Sequence, residues 1–226
     1  MGSDVAMTAP PEPDLPVLHR RTYDVTAYRE SDSRLRLRGT VRDQKPPGLY
    51  VADDPEPLTV HHMIVDVVVE YPSMLIVEAG AVLDTHPHTE CTGIESHYDK
   101  LVGLSIARGF THKVRELFGG PRGCTHTTAL IQAMAPVAIQ STWSMMAGRS
   151  DGSNDGTPVR PPLPANPSPE QLRERFAFNL NTCHVWAEDG PMITSIARGE
   201  EPPPPLWAVE RMEELGLDPD EWRFGG

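Results

Sequence analysis

Leu58-Thr59-Val60-His61-His62-Met63-Ile64-Val65-Asp66-Val67-Val68-Val69 decides the fold class. Valine and isoleucine crowd it, and β-branched side chains fit the pleated surface of a strand. Successive strand residues face opposite sides, so His61, Met63, Val65, Val67 and Val69 share one face. His62, Ile64, Asp66, Val68 and Glu70 share the other. The first face is apolar apart from His61, so it is expected against the core, with His61 buried at the rim of the sheet. A buried imidazole needs a partner for each ring nitrogen, which a backbone group or a functional site can supply.

Working outward, Arg34-Leu35-Arg36-Leu37-Arg38 alternates strictly, which is the pattern of a half-buried strand. Its leucines point in and its arginines out. Such arginines are read either as a solvated edge charged against aggregation or as an anion site. After Glu70, Tyr71-Pro72-Ser73 turns the chain and Met74 to Leu83 reads as the next strand of a meander. His86 and His88 flank Pro87 in what is expected to be an exposed loop.

Cys91 opens a helical region from Ile94 to Ile106, broken by Gly109. Thr111 is expected to cap a second helix, His112 to Phe118, which Gly119, Gly120 and Pro121 end. Gly123-Cys124-Thr125-His126 then delivers a cysteine and a histidine to the start of a longer helix, capped by Thr125 and reaching about Met146. Leu130, Ile131, Met134, Ala138 and Met145 form its stripe, and Pro136 should kink it. Cys124 lies at the positive end of that helix dipole, where thiolate is favoured.

Residues 148–169 read as a Pro/Gly/Ser-rich loop. Asn181 to Trp186 and Met192 to Ile196, joined by Glu188-Asp189-Gly190-Pro191, are expected to form a late β-hairpin. In a regular strand Cys183 and His184 face opposite ways. Cys183 is taken as pointing into the site, with His184 beside it. Four prolines precede a last helix from Trp207 to Leu215. The division is therefore a disordered lead-in at 1–17, a core at 18–147, the loop at 148–169, and 170–226 as hairpin plus C-terminal helix. Strands and helices are segregated, which gives an α+β fold: an antiparallel sheet with two or three helices packed on one face and a late β-hairpin.

Composition narrows the function. A formal net charge of −12 disfavours nucleic acid and anionic membrane as partners. No apolar run approaches the roughly 20 residues of a membrane span. Met1 to Pro16 lacks the pattern of a signal peptide, so a cytoplasmic location is expected. Three cysteines cannot all pair, and thiols kept reduced favour metal binding or catalysis. All three have histidine near them in sequence.

The leading expectation is a metal site drawn from His61, Cys91, Cys124, His126 and one of Cys183 or His184. Thiolates and imidazoles suit zinc or iron. Three protein ligands and a bound water would give hydrolase or lyase chemistry, with His184 or Asp66 moving the proton. A metal or iron–sulfur carrier is one alternative. Another is a metal-free enzyme in which Cys124 attacks and His126 or His184 serves as base. The bland reading makes the cysteines core filler in an accessory module. A small-molecule substrate is the expected partner, and self-association is left open.

The ordered residues resemble a bacterial family known only as a domain of unknown function and marked by a Gly-Cys-Thr-His box. The resemblance rests on His61-His62-Met63, Pro87 with Cys91, Leu101-Val102-Gly103-Leu104, the run Gly119 to His126, Gln140 and Cys183-His184. It spans roughly residues 18–198. Thr127-Thr128 departs from the family pattern, which changes packing and not the box. The resemblance implies a bacterial protein often encoded among catabolic genes, and it implies no settled reaction.

Overall fold

Four strands follow one another as a meander: β1 (Arg20–Ser31), β2 (Arg34–Lys45), β3 (Leu58–Glu70) and β4 (Leu75–Thr85). Each pairs antiparallel with the next, giving the order β1-β2-β3-β4. The computed structural model describes residues 11–147, 164, 168–200 and 203–222. Residues 1–10 of the lead-in and most of the 148–169 stretch lie outside the described residues. The chain divides into two compact units, Met1–Thr142 and Trp143–Gly226.

The alternation read from the sequence is the alternation found. Met63, Val65, Val67 and Val69 are buried on one face of β3, as are Leu35, Leu37 and Val41 of β2. Burying one such aliphatic side chain contributes roughly 1.5–3 kcal/mol. The opposite face carries Arg34, Arg36 and Arg38. β2 is an interior strand, so these arginines do not guard an edge. Each meets a carboxylate instead: Arg34 with Glu78 at 3.2 Å, Arg36 with Glu30 at 2.7 Å and Arg38 with Asp66 at 2.8 Å. The face is internally neutralised, which favours the solvated reading over an anion site there.

Tyr98 and Leu101 of a 3-10 segment (Thr89–Leu101), together with helices α1 (Phe110–Phe118) and α2 (Thr125–Ala147), close the core of the first unit. The 3-10 segment begins before the expected helix at Ile94, and α1 starts at Phe110 after Gly109, not after a Thr111 cap. α2 runs through Pro136 without a break. Its seat is set by Gly39 of β2. A Cβ there would lie 2.8 Å from Met134 Sδ and 3.0 Å from Leu130 Cδ1, so the missing side chain lets the helix settle onto the sheet.

The turn before α2 has a physical reason for its composition. Arg122 folds back, donating from Nε to the Glu116 carbonyl at 2.9 Å and from Nη2 to that of Arg115 at 3.3 Å. These are carbonyls of the last turn of α1; that of Arg115 also accepts the Gly119 N–H at 3.0 Å. At Gly123 a Cβ would stand 2.6 Å from the Phe118 carbonyl oxygen, so only glycine fits. The Cys124 carbonyl accepts the Thr128 N–H at 2.9 Å, which makes Cys124, not Thr125, the cap residue of α2. The departures Thr127 and Thr128 are both buried, and Thr128 Oγ1 donates to the Phe118 carbonyl at 3.2 Å.

The second unit holds α3 (Pro169–Phe176), α4 (Pro191–Ala197) and α5 (Leu206–Glu214). The expected late hairpin is absent among the described residues: His184–Trp186 is a 3-10 turn and Pro191–Ala197 is helical. Gly190-Pro191 reads as a hairpin turn, but proline at the first position of a helix is equally at home, and here it starts α4. α5 lies within a residue of its expected place, followed by Gly216 at φ 69°. Among the described residues no helix is long and apolar enough to cross a membrane.

Candidate metal centre

Cross-strand register builds the site. Arg21 of β1 stands opposite Asp43 of β2, and Asp43 stands opposite His61 of β3. The three form one row on the core face, two positions beyond the row of Val41 and Met63. α2 supplies the fourth member. His126, Leu130 and Met134 recur every four residues on one helix face, a step of about 6 Å. Alternate residues of β2 step about 6.7 Å. With Met134 seated on Gly39, the same helix face brings His126 over Asp43.

Asp43 is 1% exposed. Arg21 grips it side-on, Nε to Oδ1 at 2.6 Å and Nη2 to Oδ2 at 2.7 Å. His19 Nε2 lies 3.3 Å from Oδ1, while His61 Nδ1 and His126 Nε2 each lie 3.3 Å from Oδ2. The two imidazoles stack, centroids 3.8 Å apart and planes inclined by 24°. The ligand atoms of Asp43, His61 and His126 all lie within 4.8 Å of one another, so this cluster could hold a metal ion.

One atom bears on that directly. His61 Nδ1 is buried and has no hydrogen-bond partner. It sits close to Asp43 Oδ2 but out of line with it, so the contact does not satisfy the nitrogen. An orphaned buried nitrogen costs free energy unless something else engages its lone pair.

Electrostatics favour the metal-ready forms. Burial lowers the pKa of His61 against the pull of Asp43. Burial, with the neighbouring His61, lowers that of His126. Both imidazoles are then neutral near pH 7, the ligating form. Burial pushes Asp43 up, but the Arg21 hydrogen bonds and charge outweigh it and hold the carboxyl at about 2. Arg21 is raised in turn, by its hydrogen bond to Asp43. Each carboxylate oxygen keeps a second lone pair, so Arg21 can orient Asp43 without displacing an ion.

A supporting layer holds His126. Cys124 Sγ lies 3.5 Å from His126 Nδ1, on the side of the ring away from Asp43. The Cys124 N–H donates to Tyr98 Oη at 2.8 Å, and Tyr98 Oη donates back to the Cys124 carbonyl at 3.4 Å. Tyr98 is buried, and burial raises its pKa, so the phenol stays neutral and can play both parts.

Of the residues expected at the site, the structure brings His61 and His126 together and places Cys124 against His126. It does not bring in Cys91 or Asp66. Cys91 is half-buried in the 3-10 segment, packed against the hydrophobic core, and takes no part in the ligand set. Asp66 lies on the opposite face of the sheet, gripped by Arg38 Nε at 3.0 Å and Nη2 at 2.8 Å. Cys183 is exposed, and His184 opens a 3-10 turn, both in the second unit. Asp43, Arg21 and His19 were not anticipated. Extending the alternation of Leu35 and Leu37 through Gly39 and Val41 reaches Asp43, a carboxylate in a core position.

Residues 19–140 match the family model described as protein of unknown function (DUF2889). The chain belongs to this family. No curated protein and no solved structure matches it. The DUF2889 match contains Asp43, His61, Tyr98, Cys124 and His126, and it ends before Cys183 and His184.

Proposed function

We propose that this DUF2889 protein is a metal-dependent enzyme of the hydrolase or lyase type, acting on a small organic substrate of bacterial catabolism. The supporting observation is the convergence of Asp43, His61 and His126, with His61 Nδ1 buried and unsatisfied. Two imidazoles and a carboxylate suit zinc or ferrous iron, and three protein ligands leave positions open for water or substrate. A bound ion there supplies Lewis-acid polarisation. The chain's own residues do the rest: Arg21 fixes the Asp43 carboxylate, Cys124 holds the far nitrogen of His126, and Tyr98 holds Cys124. On this reading the box Gly123-Cys124-Thr125-His126 is the family's functional mark.

A second reading has its own observation. Cys124 Sγ, His126 and Asp43 line up as thiol, imidazole and carboxylate, at 3.5 Å and 3.3 Å. That is the order of a metal-free relay for a cysteine nucleophile. The two readings divide on single residues, since His61 serves only the metal and a reactive thiol serves only the relay.

Metal analysis of protein purified without an affinity tag decides. Stoichiometric zinc or iron, lost in His61→Ala and retained, more weakly held, in Cys124→Ala, supports the metal enzyme. Absence of metal together with rapid alkylation of Cys124, unchanged in His61→Ala, supports the relay.

A further inference from the structure

Four nitrogen-bearing side chains, His19, Arg21, His61 and His126, converge on a single carboxylate, Asp43. Nothing else in the described sheet has this imbalance. Arg34, Arg36 and Arg38 of the outer face each have a carboxylate of their own. The surplus is one of nitrogen donors over acceptors, in a chain whose formal charge is −12.

Arg21 shows where the surplus is directed. A guanidinium has five N–H donors in a planar fork. Its side-on edge, Nε and Nη2, is occupied by Asp43. Its end-on edge, one N–H from each terminal nitrogen, has the geometry that receives a second carboxylate. Nη1, one of its two nitrogens, makes a long contact to Tyr23 Oη at 3.5 Å. The Arg21 side chain is 34% exposed and that of His19 38%, so this flank of the cluster opens to solvent while Asp43 beneath it does not.

We infer that the substrate is a small carboxylate, its anion received by the Arg21 end-on edge and His19, with the rest of the molecule over His61 and His126. The inference rests on the metal reading and adds the substrate's class to it. Screening at physiological salt confines the acidic surface's repulsion to about 8 Å, so local donors decide binding.

The test is a spectral titration of the full chain loaded with Co(II), using acetate and its neutral analogue acetamide. Acetate should saturate the Co(II) bands and acetamide should not. His19→Ala should weaken acetate by about tenfold or more, as for one lost hydrogen bond to a charged group, over and above any change in Co(II) affinity, which is titrated separately. His19→Gln, which keeps a donor, should restore most of it. Equal response to acetate and acetamide, or undiminished acetate binding in His19→Ala, overturns the inference. If the chain takes up no Co(II), the metal reading fails by itself. The carboxylate site is then read in the ion-free chain by acetate-induced shifts of the His19 imidazole resonances, and their absence overturns it.

Discussion

The two faces of one sheet use the same residue types to opposite ends. On the outer face Arg38 and Asp66 form a bidentate pair in contact with water. On the core face Arg21 and Asp43 form a bidentate pair in which the carboxylate is 1% exposed. Water screens the first and is excluded from the second. Solvated pairs of the outer kind contribute little, whereas removing one partner of a buried pair leaves a charge stranded. The sheet therefore keeps its solvated face self-cancelling and gathers several nitrogen donors around one carboxylate at one end of its protected face.

Breaking the buried pair should have the largest effect. Asp43→Asn leaves Arg21 without its counter-charge and should lower unfolding stability by on the order of 3 kcal/mol, measured by urea denaturation. Metal uptake should vanish with it. Asp66→Asn on the outer face should leave the urea midpoint where it was. Equal losses in the two variants would erase the distinction between the faces.

Acid offers a second handle. A carboxyl held at about 2 in the fold and near its ordinary value when unfolded contributes stability above the unfolded pKa and loses it as pH falls through the folded one. For Asp43 that is about 2 kcal/mol, lost on acidification from about pH 4 toward pH 2. His61 and His126, lowered by burial, act in the same direction from higher pH, because the unfolded chain takes up their protons first. Asp43→Asn should flatten the lower part of the stability–pH curve.

Gly39→Ala probes how closely α2 must sit. The added methyl meets Met134 and Leu130 and should cost about 1–3 kcal/mol, with weakened Co(II) binding as His126 is lifted from Asp43. Tyr98→Phe is milder. It keeps the ring, 5.0 Å from that of Phe118, and removes the hydroxyl that engages Cys124. A loss of about 1 kcal/mol in stability and about tenfold in Co(II) affinity is expected.

Much of this was readable in the chain. The valine-rich run of β3 assigned its own faces, and His61 followed as the one polar residue on the inner side. The glycines and proline before Cys124 announced a helix start, which placed His126. What escaped was non-local or ambiguous. β2 advertised itself through Arg34 to Arg38, but Gly39-Thr40 interrupts the charge pattern, so the strand was not followed as far as Asp43. Arg21 and His19 mean nothing until register aligns them with Asp43. The hairpin read around Cys183 and His184 was ambiguous too, because its turn residues start a helix.

Arg21 also sits near the beginning of β1, an outermost strand with a neighbour on one side only. Strand ends of this kind fray first. The guanidinium that clamps Asp43 thus hangs on the end of an edge strand, and occupancy of the centre should be felt there as slower amide exchange at Arg20 to Tyr23. Ligand binding would be written into the breathing of a strand end.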